Sequence, residues 1–450
     1  MVVSGCKGIV NALGENNCFL NVVIQSLWHT SAFREAFKGH CAEHPRCDAA
    51  SPCFVCALHD IFCSFEHTEA PAVRPDALRR VLGTMHARFA KGRMNDAAET
   101  FSTILEALHS VSTSSDQEDE TADSFVHRVF GLQFRQYAAC GECGSTSSAL
   151  LYSTFVYYIP AAAIGDCDGD PSFGSLLRQV CQTERRGCAA SPCPAKGVPV
   201  VTEATLLPSV LVLGVVWPQA RVPQDDLIRF LAHVGTTFAV ADLFDGSPGA
   251  MRARLTGLVL YYARHYLALF WHTPSAEWLL FDDGRVRPLG TEWLAVLRYL
   301  VQGHLQPLLL FYSLDAAPTP QNGARVGGSA HNAEDKAGEV DQEALEDEDA
   351  DDDVHVVGTG QQPLGSKAVL AALRAAVEVR TPLKRPRDEA EEALEMDENL
   401  GRMAEIFGNS YDLPTLQRYL RRYNGDVQRA TAAVVDGTAS QEDSSQDLLE

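Results

Sequence analysis

One cysteine near the start of the chain has the surroundings that a reactive thiol needs. Cys18 follows a turn rich in Gly and Asn and begins a segment whose apolar residues recur at helical spacing, at Leu20, Val23 or Ile24, and Leu27. A thiol at a helix start lies beside unpaired backbone N–H groups, at the positive end of the helix dipole, which favours the thiolate. Taken alone, such a cysteine is more often a small buried apolar residue.

A second block lies far downstream. Apolar, β-branched and aromatic runs at 255–270 and 277–282 predict consecutive antiparallel strands, and pairing them would let His265 face Asp282. A Cys, His and Asp set is what a thiol hydrolase needs, since His moves the thiol proton and a carboxylate orients the ring. Taken singly, His265 could equally be a half-buried strand histidine, and Asp282 with Asp283 a turn pair before glycine.

Together the two blocks resemble the ubiquitin-specific protease (ubiquitin carboxyl-terminal hydrolase) family of cysteine deubiquitinases, in a divergent branch with an extended Cys box. Residues 8–29 resemble the family's Cys box and residues 265–283 its His box. Four more segments are similar to family segments in the same order, namely Met94–Phe101, Phe130–Cys143, Leu207–Trp217 and Gln306–Tyr312. The resemblance covers residues 5–314.

This resemblance implies an α+β, papain-like fold with a helical thumb (18–127), zinc-tipped fingers (129–208) and an antiparallel palm. Composition then changes: the acidic stretch within 315–395 has little to bury and predicts a disordered linker, with a short helical pattern at 367–379.

Structure is predicted to return near the C-terminus. Residues 396–437 resemble a ubiquitin-associated or CUE-like module of three short helices, and a disordered tail occupies 438–450. The residues that would face ubiquitin in this module are Phe407, Val434 and Val435. The alternative is a small helical bundle that binds another protein or nothing.

The resemblance also assigns roles to the reacting residues. Cys18 would attack the carbonyl of ubiquitin's C-terminal glycine, His265 would protonate the leaving lysine, and Asp282 would orient His265. Asp283 would be a supporting or alternative partner of the histidine. The other reading is a catalytically weak or inactive pseudoenzyme that serves as a ubiquitin-binding scaffold.

The Cys box departs from the family pattern in its spacing. The family's oxyanion-hole asparagine stands five residues before the nucleophile, whereas Asn11 stands seven before Cys18, so Asn11 would serve only if the loop bulges, and otherwise Asn16 or Asn17 could. Losing one such donor costs about 10²–10³ in rate. Arg264 replaces the glycine common before the catalytic histidine and could crowd the channel for ubiquitin's tail.

Acidic residues and cysteine clusters supply the other candidate sites. Asp96 and Glu99 match the family's acidic helix that receives ubiquitin's basic tail. Cys-x-x-Cys spacing predicts half of a structural zinc site in the fingers, completed by a second cysteine pair. The finger candidates are Cys140, Cys143 and Cys188, with Cys181 or Cys193 as fourth ligand. A second zinc could bind His44, Cys47, Cys53 and Cys56, with His40 or Cys41 as substitutes.

Composition narrows the class of partner. The formal net charge of −22 argues against nucleic acid and anionic membranes and suits a basic ligand. No catalytic cofactor is expected, and thirteen cysteines without a signal peptide predict an intracellular protein. We therefore expect a cytoplasmic thiol protease whose partners are ubiquitin, polyubiquitin or ubiquitinated proteins, and Lys384–Arg387 could direct nuclear import.

Overall fold

The computed structural model describes most of the chain up to residue 315 and parts of the rest. The described residues are 6–12, 14–45, 47, 53–112, 124–190, 193–315, 365–378, 400–401, 403–404, 413–422, 430–431 and 434. Among them, no helix is both long enough and apolar enough to cross a membrane.

The thumb consists of helices around an aromatic core. Its helices are α1 (Cys18–His29), α2 (Ser31–Glu43), α3 (Phe54–His67), α4 (Asp76–Met85), α5 (Ala97–Ser112) and α6 (Phe125–Phe130). Two short parallel strands, β1 (Gly8–Ile9) and β2 (Ala72–Val73), flank them. α1 is buried from Cys18 to Trp28, because it lies between α5 on one side and the palm sheet on the other. An all-round apolar helix needs such a position.

The fingers are a separate four-stranded sheet with the order β4-β3-β7-β6. Their strands are β3 (Leu132–Ala138), β4 (Leu150–Thr154), β6 (Arg185–Arg186) and β7 (Val198–Leu206). The tip of this sheet has a small core of its own, in which Cys140 and Val198 are buried and Cys188 and Cys193 pack against them.

The palm is an eight-stranded sheet with the order β13-β12-β11-β10-β14-β8-β5, and β9 pairs with β10. Its strands are β5 (Tyr157–Pro160), β8 (Val210–Val216), β9 (Thr237–Ala239), β10 (Arg252–Tyr262), β11 (His265–His272), β12 (Glu277–Asp282), β13 (Arg285–Gly290) and β14 (Gln306–Leu314). Both faces are covered: Val259 of β10 belongs to the thumb core, whereas Leu258 and Leu260 belong to the core on the other face. The predicted antiparallel pairing of 255–270 with 277–282 is confirmed, since β11 pairs with both β10 and β12.

Further helices cover the outer face of the palm. They are α7 (Ala161–Gly165), α8 (Phe173–Cys181), α9 (Gln224–His233), α10 (Val240–Leu243), α11 (Trp293–Gly303) and α12 (Ser366–Glu378). α12 lies within the predicted linker 315–395, yet it packs on α9 and α11. Leu373 is fully buried there, and Arg374 Nη2 lies 3.0 Å from Asp225 Oδ1. This helix therefore packs with the helices that cover the palm, although it follows residue 314, where the sequence resemblance placed the end of the first domain.

Near the C-terminus the structure describes α13 (Leu413–Arg422, counted in chain order) and a few neighbouring residues. A small buried cluster joins Leu400, Met403, Leu416, Leu420, Ala430 and Val434. Val434 was predicted to face ubiquitin but is only 3% exposed, because it packs within this cluster. Phe407 and Val435 lie outside the described residues, and ubiquitin binding by this module stays a prediction.

Candidate active site

Cys18 is the first residue of α1 and is 2% exposed. The preceding Asn17 makes no side-chain cap to the helix, and its carbonyl oxygen accepts the Leu20 N–H at 2.9 Å. The N–H groups of Cys18 and Phe19 therefore have no intrahelical partner beside the thiol. Two groups lie across the sulfur: Met94 Sδ at 3.9 Å and the Arg264 carbonyl oxygen at 4.0 Å. The thiol thus lies at a helix start, as its sequence context predicted, but it is buried by Met94 and the backbone of Arg264.

His265 and Asp282 approach Cys18 from the palm. His265 begins β11 and Asp282 ends β12, and the antiparallel pairing of these strands brings the two residues to the same end of the sheet. His265 Nε2 lies 2.7 Å from Asp282 Oδ1. The ring nitrogen Nδ1 is therefore the one left to exchange a proton with Cys18.

The charges around the ring favour an imidazolium. Burial alone lowers the pKa of His265, but the hydrogen bond to Asp282 and the interaction with the Cys18 thiol outweigh burial, and the pKa rises well above 6.5. Burial raises the pKa of Asp282, but its bond to His265 and the charge of Arg287 reverse this, so its pKa lies below 3.8. A carboxylate held ionised beside a protonated ring stabilises a thiolate on the other side.

Asp283 has a different task from Asp282. Its carboxylate accepts from Asn11 Nδ2 at 2.8 Å and from Asn21 Nδ2 at 2.7 Å, and its backbone oxygen accepts the Ile9 N–H at 2.8 Å. Burial raises the pKa of this carboxyl. Asp283 therefore ties the palm to the Cys box, and Asp282 alone is hydrogen-bonded to His265 among the two predicted carboxylates.

A close approach of two backbones makes this tie possible. A Cβ at Gly8 would lie 2.4 Å from the Gly284 carbonyl carbon, so only glycine fits there. Asp283 itself has φ +48°, the left-handed region that costs a non-glycine residue about 1–2 kcal/mol. The strained turn is held by the hydrogen bonds to Asn11 and Asn21.

Asn11 and Asn16, two of the three asparagines considered for the oxyanion hole, have other partners. Asn11 gives one amide hydrogen to Asp283, and its Oδ1 accepts the Asn17 backbone N–H at 2.8 Å. Asn16 donates to the Gly92 carbonyl at 2.8 Å, away from the palm. Asn11 keeps one amide hydrogen for a ligand, whereas Asn16 anchors the loop to residue 92.

Arg264 lies in a two-residue connection between β10 and β11. Both of its residues, Ala263 (φ +44°) and Arg264 (φ +67°), are left-handed, the geometry in which Asn-Gly is preferred. The Arg264 side chain is exposed, and its carbonyl faces the thiol. Arg264 therefore limits access to Cys18 through its backbone.

The two acidic residues predicted for tail binding lie at the start of α5, close to Met94. Asp96 Oδ1 accepts the Glu99 backbone N–H at 2.9 Å and so caps the helix, while its side chain is exposed. Glu99 is 54% exposed and pairs with Arg88. A basic ligand would meet Asp96 directly but would compete with Arg88 for Glu99.

Four finger cysteines converge at the tip of the fingers. The sulfurs of Cys140, Cys143, Cys188 and Cys193 lie within 4.8 Å of one another. The Cys140–Cys193 and Cys143–Cys188 distances are 3.9 and 3.6 Å, close to the roughly 3.8 Å edge of a tetrahedron with zinc–sulfur bonds of about 2.3 Å. This cluster could hold zinc.

Cys181 is not part of this cluster, which corrects its candidacy as fourth ligand. It ends α8 beside Tyr157, on the palm side, and burial raises the pKa of its thiol to about 12. The competing candidate, Cys193, lies in the cluster instead.

A second cluster joins the end of α2 to the start of α3. The ligand atoms of His44, Cys47, Cys53 and Cys56 lie within 4.8 Å of one another. His44 Nε2 is 3.1 Å from Cys53 Sγ, and this set could also hold zinc. Neither substitute, His40 nor Cys41, belongs to it; His40 stacks on Phe125.

Several residues around Cys18 had no predicted role. They are Glu15, Asn21, Lys91 and Met94. The sequence held a signal for Asn21, because it is a polar residue in a helix that is otherwise apolar and buried. The other three lie in loops, where periodicity carries no information.

Comparisons with known proteins agree with this geometry. The sequence model described as ubiquitin carboxyl-terminal hydrolase matches residues 7–312. The chain is 30% identical to human ubiquitin carboxyl-terminal hydrolase 53 over 331 residues, which is 68% of this chain and 30% of that protein. It is 32% identical to mouse ubiquitin carboxyl-terminal hydrolase 54 over 345 residues, 71% of this chain and 21% of that protein. The match thus spans less than a third of either relative.

Solved structures of the same fold include the SAGA Ubp8/Sgf11/Sus1/Sgf73 DUB module bound to ubiquitin aldehyde. The TM-score is 0.53 at 18% identity, covering 69% of this chain and 70% of that chain. The SAGA Ubp8/Sgf11/Sus1/Sgf73 DUB module also matches, with a TM-score of 0.50 at 17% identity over 69% and 68% of the two chains. These likenesses confirm the predicted fold. With a family match over residues 7–312, the chain belongs to the ubiquitin carboxyl-terminal hydrolase family.

Proposed function

We propose that the chain is a cysteine-type deubiquitinase that cleaves the isopeptide or peptide bond after ubiquitin's C-terminal glycine. The observation that carries the proposal is the 2.7 Å bond between His265 and Asp282 beside a thiol at a helix start. Keeping all three groups together gives a thiol hydrolase its nucleophile, its proton carrier and its orienting carboxylate.

The reaction then has two steps. The Cys18 sulfur attacks the glycine carbonyl carbon, the carbon–nitrogen bond breaks, and His265 gives its proton to the leaving amine. Water next attacks the thioester carbonyl carbon while His265 takes a proton from it. The carbon–sulfur bond then breaks, which releases ubiquitin's C-terminal carboxylate and restores the Cys18 thiolate beside a protonated His265. The raised pKa of His265 suits the first step, because the ring must hold a proton when the amine leaves.

The negative oxygen of each intermediate needs hydrogen-bond donors. The backbone N–H of Cys18, in the first turn of α1, is one candidate. The second amide hydrogen of Asn11 is another, since the first is bonded to Asp283. In this proposal Asp283 fixes the orientation of Asn11 and does not exchange protons with His265.

Exposed carboxylates beside the cleft suit ubiquitin's basic tail. Asp96 and Glu99 begin α5, and Met94, two residues before Asp96, touches the Cys18 sulfur. The partners would be ubiquitin, polyubiquitin or ubiquitinated proteins. The cytoplasmic location predicted above is part of the same proposal.

Structural zinc would complete both cysteine clusters. Cys140, Cys143, Cys188 and Cys193 would hold one ion at the finger tip, and a second would join α2 to α3 through the His44 cluster. Four protein ligands leave no open position, so zinc would stabilise these segments and take no part in the chemistry.

One observation favours the alternative of a ubiquitin-binding scaffold. Cys18 is 2% exposed, with Met94 and the Arg264 carbonyl across its sulfur, so a substrate carbonyl must displace one of them. A chain that cannot make this movement would bind ubiquitin without cutting it.

Ubiquitin carrying a C-terminal thiol-reactive warhead separates the two functions. The enzyme should form an adduct of one ubiquitin, detected by intact mass spectrometry, that is lost in Cys18→Ala and reduced in His265→Ala. Binding of ubiquitin without any adduct would establish the scaffold and overturn the enzyme.

A further inference from the structure

A short segment of the thumb, residues 90–94, supports the loop that leads to the nucleophile. Three successive contacts join them: Lys91 Nζ to Glu15 Oε1 at 2.7 Å, Asn16 Nδ2 to the Gly92 oxygen at 2.8 Å, and Met94 Sδ to Cys18 Sγ at 3.9 Å. We call residues 90–94 the support segment. It runs alongside the part of the extended Cys box from Glu15 to Cys18.

The support segment is itself fixed to the helix of the nucleophile. The Arg79 guanidinium, on α4, donates to the carbonyl oxygens of Ala90 at 2.9 Å and Arg93 at 2.6 Å. Its carbon lies 4.6 Å from the centroid of the Phe19 ring, and Arg79 is 3% exposed. A buried arginine held on three sides gives the support segment a defined position relative to α1.

Glu15 links the support segment to Asn17, the residue before the nucleophile. Its side chain is 9% exposed, and Oε2 accepts the Asn17 side-chain amide at 3.0 Å. Asn17 is 1% exposed, and its Oδ1 has no hydrogen-bond partner among the described residues. The Glu15 bond, with the Asn11 bond to the backbone N–H, therefore holds Asn17 from two sides.

A buried carboxylate stays where it is only while its charge is compensated. Lys91 makes the close ion pair at 2.7 Å, whereas Arg74 is 3.9 Å away and already bonded to Asp76, and the buried Arg79 adds a longer-range attraction. Loss of Lys91 would weaken this compensation and favour rotation of Glu15 toward water, which would break its bond to Asn17.

We propose that Glu15 and Lys91 form a latch that holds Cys18 in its reactive position, with Lys91 as a positioning residue for the nucleophile. The latch rests on the proposed deubiquitinase function only through the reaction that it serves. The position of the Cys18 thiol can be tested without ubiquitin, by measuring how fast a small alkylating reagent modifies it.

The test compares variants of the 450-residue chain in two reactions, with the ubiquitin warhead and with iodoacetamide, each followed at Cys18 by mass spectrometry. Lys91→Met removes the latch charge, and Lys91→Arg keeps it. Lys38→Met is the matched control, because it removes an exposed lysine of α2 from its pair with Glu66 of α3, and neither residue contacts Glu15 or the support segment in the ion pairs described. Glu15→Gln is a second variant that keeps the size of the carboxylate.

We expect Lys91→Met and Glu15→Gln to lower the maximal warhead rate constant by about tenfold, less than the roughly 10² that a 1 Å misplacement can cost. The binding constant of the warhead should stay unchanged. The rate of iodoacetamide labelling at Cys18 should fall together with the warhead rate constant. Lys91→Arg and Lys38→Met should react within about twofold of the parent. Raising the salt concentration should reduce the difference in warhead rate constant between the parent and Lys91→Met, because Lys91 is 68% exposed and salt screens its charge.

Some results would overturn the latch: an unchanged rate in Lys91→Met, or an equal loss in Lys91→Arg, which would show that charge does not matter. A thermal unfolding midpoint that falls as steeply as the rate would assign Lys91 to general stability. If the parent never reacts with the warhead but Lys91→Met still alters iodoacetamide labelling, the latch stands and the proposed enzyme function fails.

Discussion

Replacing Asp282 by asparagine should slow the cleavage of a ubiquitin amide by about one to two orders of magnitude. The substitution keeps the shape of the side chain and removes the charge that His265 Nε2 meets at 2.7 Å. A hydrogen bond to a charged group contributes about 1.5–3 kcal/mol, and about 1.4 kcal/mol equals a factor of ten, so the loss is roughly 10- to 150-fold. Removing the charge also takes from Arg287 its ion pair with the carboxylate at 3.8 Å, although Arg287 keeps its hydrogen bond to the Tyr299 hydroxyl.

The pH dependence of the reaction tests the role of Asp282 independently of the size of the rate loss. Burial lowers the pKa of His265 and its bond to Asp282 raises it, with a net rise above 6.5, so the ring of the parent keeps its proton to higher pH than an ordinary histidine does. Activity that needs this proton is lost as pH rises through the raised pKa. In Asp282→Asn the alkaline limb of kcat should move to lower pH. The stability that the raised pKa contributes is fully present below pH 6.5 and is lost as pH rises through the folded-state pKa, and this loss should shrink in the variant.

The assay is the steady-state hydrolysis of a fluorogenic ubiquitin amide from pH 5.5 to 10. Asp245→Asn is the matched control, because Asp245 also pairs with an arginine, Arg178 at 2.7 Å, but lies away from Cys18. A rate within twofold of the parent, with the alkaline limb unmoved, would refute the role given to Asp282.

Three further predictions concern stability and metal content. Leu373→Ala should lower the free energy of unfolding by about 2–5 kcal/mol, or by less if α12 detaches as a unit, whereas Val377→Ala, 39% exposed on the same helix, should have little effect in chemical denaturation. Elemental analysis should find two zinc ions per chain, and one in either Cys143→Ser or Cys53→Ser, with equal counts in variant and parent contradicting the assignment. Burial lowers the pKa of His29 to about 3, so the folded protein should lose about 1.4 kcal/mol of stability per pH unit below 6.5, a slope that His29→Phe should remove in denaturation measured at pH 4–6.5.

Much of the site could be predicted because its residues stand in segments with strong local patterns. Cys18 begins an apolar helix, and His265 and Asp282 lie at the ends of neighbouring strands that pair antiparallel. Strand pairing alone then decides that the last two meet. The separation of 247 residues between Cys18 and His265 is bridged by the core between α1 and the palm.

The tasks of the neighbouring polar residues could not be predicted from spacing. Asp282 and Asp283 are adjacent, yet the strand end aims one at His265 and the left-handed turn aims the other at Asn11. The choice of Cys193 over Cys181 depended on where a loop returns and where α8 ends. Side-chain direction in turns depends on backbone angles that periodicity does not reveal.

The linker and the C-terminal module show the effect of tertiary contacts on weak local signals. Residues 366–378 gave only a short helical pattern, and α12 is stabilised by the groove between α9 and α11. An isolated helix of this length is only marginally stable in water, so its formation depends on contacts with other helices that its own sequence does not reveal. Val434 was assigned to a surface because of a family resemblance, while its spacing from Ala430 already favoured the core.

Turnover is the most direct test of the central claim that Cys18, His265 and Asp282 form a working thiol hydrolase. The purified 450-residue chain would be incubated with a ubiquitin C-terminal fluorogenic amide, beside Cys18→Ala prepared in the same way. We predict release of many fluorophores per parent molecule and none above background from Cys18→Ala. Equal release by the two proteins, or none from a parent that still binds ubiquitin, would contradict the account.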